Sequence, residues 1–491
     1  MAEPVERSSN WPLDTWGGLK DLAQRDTQHT WRLTAGSAVL GLVVATGAVL
    51  AAGPWDNGQR KAERQLAAAP DRTGGAHHGR TAPGAVEAAP SAPAVLDALA
   101  AAVARTAPQD AARLRSTLAP LLAAPALGKR PAASVIDTAT GKQLYGHAAS
   151  APRTPASTVK IATTAAALSA LGPDHRIATT VRLSPDSRTL TLVGGGDPTL
   201  TSSALRSLAG TAARTLRDAG APAVRVAYDT SRYTGPARHP IGPNDNIAPV
   251  TALMVDEGRL DGTDRGPAPR SQDPAGDAAR AFAAHLEKAG VEVTGRPRHA
   301  QPPAKARTVA THRSAPLSAL VERTLTNSDN DIAEALARQT AIAAGESADF
   351  AGARRAVTAE LKKLKAPLTG ARLADGSGLD REDRVSADLL ATLLARAADP
   401  ERPELRPVLT GLPVAGFTGT LGGRYTGTSG GTGLIRAKTG TLTGVNSLAG
   451  TVVDPQGRLL AFAFLASGTP SGPEAESALD ALATALSRPA R

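Results

Sequence analysis

From Leu33 to Ala52 the chain runs LTAGSAVLGLVVATGAVLAA, with no charge and no proline. A helix rises about 1.5 Å per residue, so a run of this length just spans a hydrocarbon core of roughly 30 Å. Residues 1–32 before it are mixed and polar, with Lys20, Arg25 and Arg32 close to the apolar stretch. Basic residues on that side predict a cytoplasmic N-terminal segment, a transmembrane anchor over 33–53 and an extracytoplasmic remainder at the cell membrane. Val49 and Ala51 also offer the small residues of a cleaved signal peptide, which would leave the protein secreted. Residues 54–92 are rich in Ala, Pro, Gly and Arg and show no hydrophobic period, as expected of a solvated linker.

Periodic order begins near Ala94. Val95, Leu96, Leu99 and Val103 recur at helical spacing, and Leu114, Leu118, Leu121 and Leu122 repeat the signal. Two short apolar runs in ASVIDTATGKQLYGH, joined by Thr138-Ala139-Thr140-Gly141, predict a hairpin. Near the far end, 434–437, 447–453 and 459–466 read as three strands. A helix follows with Ala478, Leu479, Leu482 and Leu486 on one side. A hairpin from one end and three strands from the other suggest a single sheet built from both halves of the chain. Residues 176–306 show short strand-like runs between Pro and Gly clusters and read as a β-rich insertion. The main domain would then comprise 94–175 and 307–491. The fold class expected is α/β (α+β), with an antiparallel sheet flanked by helices.

Composition narrows the chemistry. The chain has no cysteine, so disulfides and thiolate sites are impossible, and its nine histidines form no metal-ligand spacing. Each histidine reads as a surface or packing residue. A net charge of +10 with only 3% aromatics gives no stacking platform for nucleic acid. Anionic lipid and wall polymers are the alternative partners of a basic surface.

Three short constellations carry possible chemistry. In TPASTVKIATTAAALSALG, Pro155 begins a helix whose apolar stripe is Ile161, Ala165, Leu168 and Leu171. Ser157 and Lys160 are three apart, on one face of its first turn. A serine hydroxyl needs a nearby base, and a desolvated lysine supplies one. In LVERTLTNSDNDIAEALARQ, one helical period ends near Leu325 and another begins at Ile332. Ser328-Asp329-Asn330 therefore sits at a turn, where a hydroxyl can relay a proton and an amide can hold a carbonyl. In LIRAKTGTLTG, Lys438, Thr439, Gly440 and Thr441 lie on a strand near the sheet edge. There a cation with hydroxyls can bind a carboxylate, and Gly440 leaves room for a substrate backbone. Each has a plain structural reading as well: a surface helix start, a helix cap and a solvated strand end. All three in this order arise by chance roughly once in a hundred or less.

With these motifs, and with LVGGGDPTL, PVTALMVDEGRLDG and LADGSGLDRED besides, residues 94–485 resemble the penicillin-binding protein 4 type of D-Ala-D-Ala carboxypeptidase/endopeptidase. The resemblance implies a serine β-lactamase/transpeptidase-like domain, with domains inserted between the first and second motifs. It implies peptidoglycan stem peptides as substrate, β-lactams as covalent inhibitors and no cofactor. By motif, Ser157 would be the nucleophile, Lys160 its base, Ser328 the proton relay and Asn330 the group that orients the peptide. Lys438 would stabilise Ser328 and the substrate carboxylate, with Thr439 beside it. The N–H groups of Ser157 and Thr441 would form the oxyanion hole. Asp229, Arg381 and Thr443 match positions that touch the stem-peptide side chain in relatives, and all three also read as turn or surface residues. The chain departs from the pattern at Asp380, where relatives commonly carry serine; its carboxylate is expected to pair with Arg381.

Two rival functions remain. A β-lactamase needs a second base downstream of Ser328-Asp329-Asn330, and the nearest match, Glu257 to Asp261, lies upstream in the insertion. A wall-binding scaffold would keep the fold and lose the chemistry, yet every motif residue is present. LVGGGDPTL lacks the GK[ST] of a phosphate loop and reads as a tight architectural turn.

Overall fold

The computed structural model describes residues 108–221, 223–426 and 430–488. The expected anchor, the linker and the helical signal at Val95 to Val103 lie outside the described residues. Among the described residues no helix is long and apolar enough to cross a membrane.

The first helix, α1 (Pro108–Leu122), buries Leu114, Leu118 and Leu122 along one face. Strands β1 (Ala132–Asp137) and β2 (Gln143–His147) form the hairpin read from the sequence, and Asp137 Oδ1 ties its turn through the Ala139 and Thr140 N–H groups. Helix α2 (Lys160–Leu171) follows. The inserted stretch contributes β3 (Ala178–Leu183), β4 (Thr189–Val193), α3 (Ser202–Asp218), β5 (Ala223–Asp229), α4 (Pro274–Lys288), β6 (Glu292–Val293), β7 (Arg298–His299) and β8 (Arg307–Arg313). Helices α5 (Leu317–Asn327), α6 (Asn330–Ala343), α7 (Phe350–Lys363) and α8 (Ala387–Ala397) come next. Strands β9 (Ile435–Leu442), β10 (Val445–Val453) and β11 (Leu459–Ser467) and helix α9 (Gly472–Leu486) complete the described chain.

One antiparallel sheet has the order β2-β1-β11-β10-β9, so chain regions hundreds of residues apart lie side by side, with Ala132 opposite Leu465. Helices α1 and α9 cover one face through Leu118, Leu479, Leu482, Phe462 and Phe464. Helices α2, α5, α6, α7 and α8 share a core with the other. Burial on both faces explains why β11 is a nearly continuous apolar run and does not alternate, while β10 is buried along almost its whole length and includes Asn446, Ser447 and Thr451. The strand order puts β9 at the sheet edge, where its motif residues can meet the helices.

The second sheet departs from the expectation of a β-rich insertion. Its order is β6-β5-β4-β3-β8, with β4 and β5 parallel, and it packs against two long helices, α3 and α4. Leu205, Leu208, Ala212 and Leu216 give α3 a regular helical stripe. The Pro and Gly clusters that suggested strands belong largely to the connections, which outnumber the helical residues in that stretch. The sheet also closes later than expected, because β8 pairs with β3 up to Arg313, past the boundary drawn at 306.

Phe462 and Phe464 stack at 5.1 Å between ring centroids and are fully buried. Phe464→Ala should therefore lower unfolding free energy by about 3–5 kcal/mol, read by chemical denaturation.

Candidate active site

A short 3-10 turn, Ala156–Val159, precedes α2. Its first residue, Ala156, has φ 48°, the left-handed region that a side chain disfavours by roughly 1–3 kcal/mol. Two hydroxyls hold it there: Thr158 Oγ1 and Ser447 Oγ both donate to the Pro155 carbonyl, at 2.7 and 2.6 Å. Ser157 is left half-exposed in a turn whose other members are buried.

One helical turn on, Lys160 is wholly buried, and its Nζ has three acceptors. It donates to Ser157 Oγ at 2.9 Å, to Asn330 Oδ1 at 2.7 Å and to the Ser377 carbonyl at 2.6 Å. Burial pushes this amine down to about 8, and the nearby carboxylates of Asp375, Asp329 and Glu334 pull the other way without prevailing. A buried amine close to neutrality can take a proton from a serine hydroxyl.

The turn between α5 and α6 divides its tasks by residue. Ser328 adopts φ 59° and ends α5, while the Asp329 carboxylate caps α6 by accepting from the Ile332 N–H at 3.0 Å. Capping is thus done by Asp329, which leaves the side chains of Ser328 and Asn330 for the cleft. Lys438, fully buried on β9, donates to Ser328 Oγ at 2.9 Å and to the Thr439 carbonyl at 2.7 Å. Burial pushes its amine well below the usual lysine range, and Lys160 acts in the same direction.

These groups border one cleft of about 440 Å³, lined by Ser157, Ser328, Asn330, Thr439 and Thr441 together with Asn246, Thr420 and Leu379. A larger groove of about 830 Å³ between α1 and α9 contains none of the motif residues. Gly440 lies beneath the cleft, but for a different reason from the one expected. A Cβ there would collide with Ser447 Oγ and come within 2.6 Å of the Pro155 carbonyl, so the nucleophile's own turn fills the space. Gly378, at φ +82°, makes the same close approach to the Ala156 carbonyl from the other side.

The remaining expected residues fall elsewhere. Arg381 and Thr443 are exposed and joined by a hydrogen bond of 3.0 Å from the guanidinium to the Thr443 carbonyl. The Asp380 carboxylate accepts from the Glu382 N–H and is not paired with Arg381 as expected. Asp229 does not line the cleft. It is buried at the end of β5, where its carboxylate accepts from the Ser231 N–H. Glu257 sits behind Asp329, bonded to Arg259 and Arg323, and its carboxylate does not line the cleft. In LVGGGDPTL, Gly194 packs against the 252–253 segment, Gly196 packs against Tyr233 and donates its N–H to the Ala252 carbonyl, and the Gly195 carbonyl accepts from Gln339, an architectural use.

Sequence reading missed Ser377, Asp375, Glu334 and His239. The first two lie in LADGSGLDRED, a stretch that carried the resemblance without a role for either residue. His239 was grouped with surface and packing histidines, yet it is buried and bonded to Asp375.

The chain matches the family described as D-Ala-D-Ala carboxypeptidase 3 (S13) over residues 114–269 and 261–486. It is 39% identical over 422 residues to the carboxypeptidase DacB of Mycolicibacterium smegmatis, covering 82% of this chain and 90% of the relative. A carboxypeptidase of Mycobacterium tuberculosis is 38% identical over 397 residues, covering 77% of this chain and 84% of that protein. A D-alanyl-D-alanine carboxypeptidase of Actinomadura is 32% identical, covering 85% and 92%. The fold is similar to the crystal structure of penicillin binding protein 4 from Haemophilus influenzae, with a TM-score of 0.63 at 22% identity, covering 76% of this chain and 98% of that one. The chain belongs to the D-Ala-D-Ala carboxypeptidase 3 family and is a serine-type D-Ala-D-Ala carboxypeptidase.

Because the free amine is the form that accepts a proton, capture of Ser157 by an acylating probe should rise about tenfold per pH unit below about pH 8 and level off above it. Second-order labelling rates across that range check this. A flat profile would remove Lys160 as the titrating group.

Proposed function

We propose that this carboxypeptidase works through an acyl-enzyme at Ser157, on peptidoglycan stem peptides ending in D-Ala-D-Ala. The observation that carries the reading is the buried amine of Lys160 bonded at once to Ser157 Oγ and Asn330 Oδ1, with Lys438 bonded to Ser328 across the same cleft.

Lys160 Nζ takes the Ser157 proton as Oγ bonds to the carbonyl carbon of the penultimate D-alanine. The tetrahedral oxyanion accepts from the N–H groups of Ser157 and Thr441, an arrangement in which each such donor contributes about 10²–10³ in rate. Asn330 orients the peptide amide. Lys438 and Thr439 receive the terminal carboxylate, and that anion favours the charged form of the buried lysine. The proton moves from Lys160 through Ser328 Oγ to the departing amine, and the C–N bond breaks to release D-alanine. Water then attacks the ester carbonyl, its hydroxyl stays with the acyl group and its proton returns to Ser157. A cross-linked stem presents the same carbonyl with a different leaving amine, so endopeptidase cleavage needs no further residue. A β-lactam acylates Ser157 by opening its ring. The resulting ester is long-lived because Glu257, the nearest candidate for a second base, is engaged by Arg259 and Arg323. Arg381 and Thr443 are assigned to the stem-peptide side chain.

The apolar run Leu33–Ala52, with basic residues before it, supports anchoring in the cell membrane with the peptidase domain outside.

Ser157→Ala should abolish labelling by a fluorescent penicillin in protein that remains folded, and labelling that persists would refute the nucleophile. Wild-type protein given a pentapeptide ending in D-Ala-D-Ala should release D-alanine. An enzyme that labels yet releases none and cuts no cross-linked muropeptide would be a binding protein only. Mass spectrometry of the mature N-terminus should find the Leu33–Ala52 run intact; a chain beginning after Ala51 would replace the anchor by a cleaved signal.

A further inference from the structure

Two of the three groups that hold the Lys160 amine are themselves held by one short piece of the inserted stretch. The Asn330 side chain gives its oxygen to Lys160 and its NH₂ to the Asn246 carbonyl, at 3.0 Å. The Ser377 carbonyl belongs to a tight turn whose N–H groups are gathered by two buried carboxylates. Glu334 Oε1 accepts from Gly376 and Ser377 at 2.9 and 2.8 Å, and Asp375 Oδ1 accepts from Ser377 and Gly378 at 3.1 and 2.6 Å. Asp375 Oδ2 in turn meets His239 Nε2 at 3.1 Å. His239 and Asn246 bracket a single loop of the inserted stretch that meets the 375–378 turn at one end and Asn330 of the second motif at the other.

We infer that His239 is a positioning residue of this carboxypeptidase: through Asp375 it fixes the 375–378 turn, so that the Ser377 carbonyl holds the Lys160 amine against Ser157. The inference rests on the proposed role of Lys160 and extends it to a residue outside the three motifs.

The surroundings of the imidazole fit this role better than a metal site. Its donor atom lies near those of Glu334 and Asp375, close enough for a metal ion. Yet Glu334 Oε1 already accepts two backbone N–H groups, and Asp375 Oδ2 accepts from the Asp380 N–H at 2.7 Å. Nε2 carries the hydrogen given to Asp375, and although burial pulls the other way, the Asp375 and Glu334 carboxylates raise the imidazole to about 9. The edge of the Phe350 ring closes the remaining side at 5.3 Å between centroids. The charged or titratable groups facing His239 are Asp375 and Glu334, at 3.1 and 3.8 Å, with Asp383 behind Asp375 on the same turn. Asp375 also leads the carboxylates that raise the affinity of Lys160 for a proton. Removing its hydrogen-bond partner leaves that negative charge less damped, so Lys160 should hold its proton to higher pH.

The test compares His239→Asn with His239→Gln. Both are uncharged amides, but only glutamine can place an N–H where Nε2 stands. Penicillin labelling of wild type at Ser157 is measured first, since its absence would remove the proposed mechanism and not this inference. With labelling established, His239→Asn should lose at least about tenfold in acylation rate, and its pH limb should move up by about half a unit or more. His239→Gln should regain most of the plateau rate. Phe350→Leu, which loosens the packing and spares the hydrogen bond, should lower the melting temperature without moving the limb. A folded His239→Asn with the wild-type rate and limb overturns the inference. So does one that is slower with an unmoved limb and no recovery in His239→Gln. If His239→Asn does not fold, His239→Gln decides alone, and a plateau tenfold or more below wild type overturns it.

Discussion

A single amine, excluded from water and still within reach of a hydroxyl, is the constraint around which the site is arranged. Lys160 can give up its proton as low as about pH 8 only if burial outweighs the carboxylates around it. It can act on Ser157 only if its remaining hydrogens are occupied elsewhere. Asn330 Oδ1 and the Ser377 carbonyl do that, and both are neutral acceptors that hold the amine without locking it as a cation. The charged groups, Asp375, Glu334 and Asp329, stand one layer further out and bond to backbone N–H groups. Charge is used to fix the loops, and neutral dipoles are used to touch the base.

The sheet serves the same end by crowding. Strand β9 lies so close to the turn bearing Ser157 that residue 440 has no room for a side chain, and Ser447 on β10 reaches past it to the Pro155 carbonyl. The strained backbone at Ala156 is therefore held from within the turn by Thr158 and from β10 by Ser447. Such over-determination keeps a reactive serine exposed without letting its turn relax into an ordinary helix start. The inserted stretch adds a second brace, with Asn246 on Asn330 and Arg270 paired to Asp331 at 2.8 Å on the next residue.

Much of this was legible along the chain. The hairpin at 132–147, the three C-terminal strands and the helices at both ends follow from period and turn chemistry, which are local features of the chain. The two long helices of the insertion were not legible, since the Pro- and Gly-rich connections between them dominate that stretch. Asp229 was drawn toward the site by a motif match, and the fold instead spends its carboxylate on the Ser231 N–H. His239 carried no signal at all. An isolated histidine between two prolines gives no sign that a carboxylate from a loop over a hundred residues away will meet it.

By itself the sequence determined which chemical groups exist and how the local turns present them: a serine and a lysine one helical turn apart, a hydroxyl and an amide at a helix junction, and a lysine and a glycine on a strand. Those are short-range matters, decided by covalent spacing and backbone geometry. Only the tertiary structure decided that the three clusters share one cleft, that Lys160 is dry, and which distant backbone atoms hold it. Burial and long-range hydrogen bonds depend on elements far apart in the chain, and no local pattern encodes their meeting.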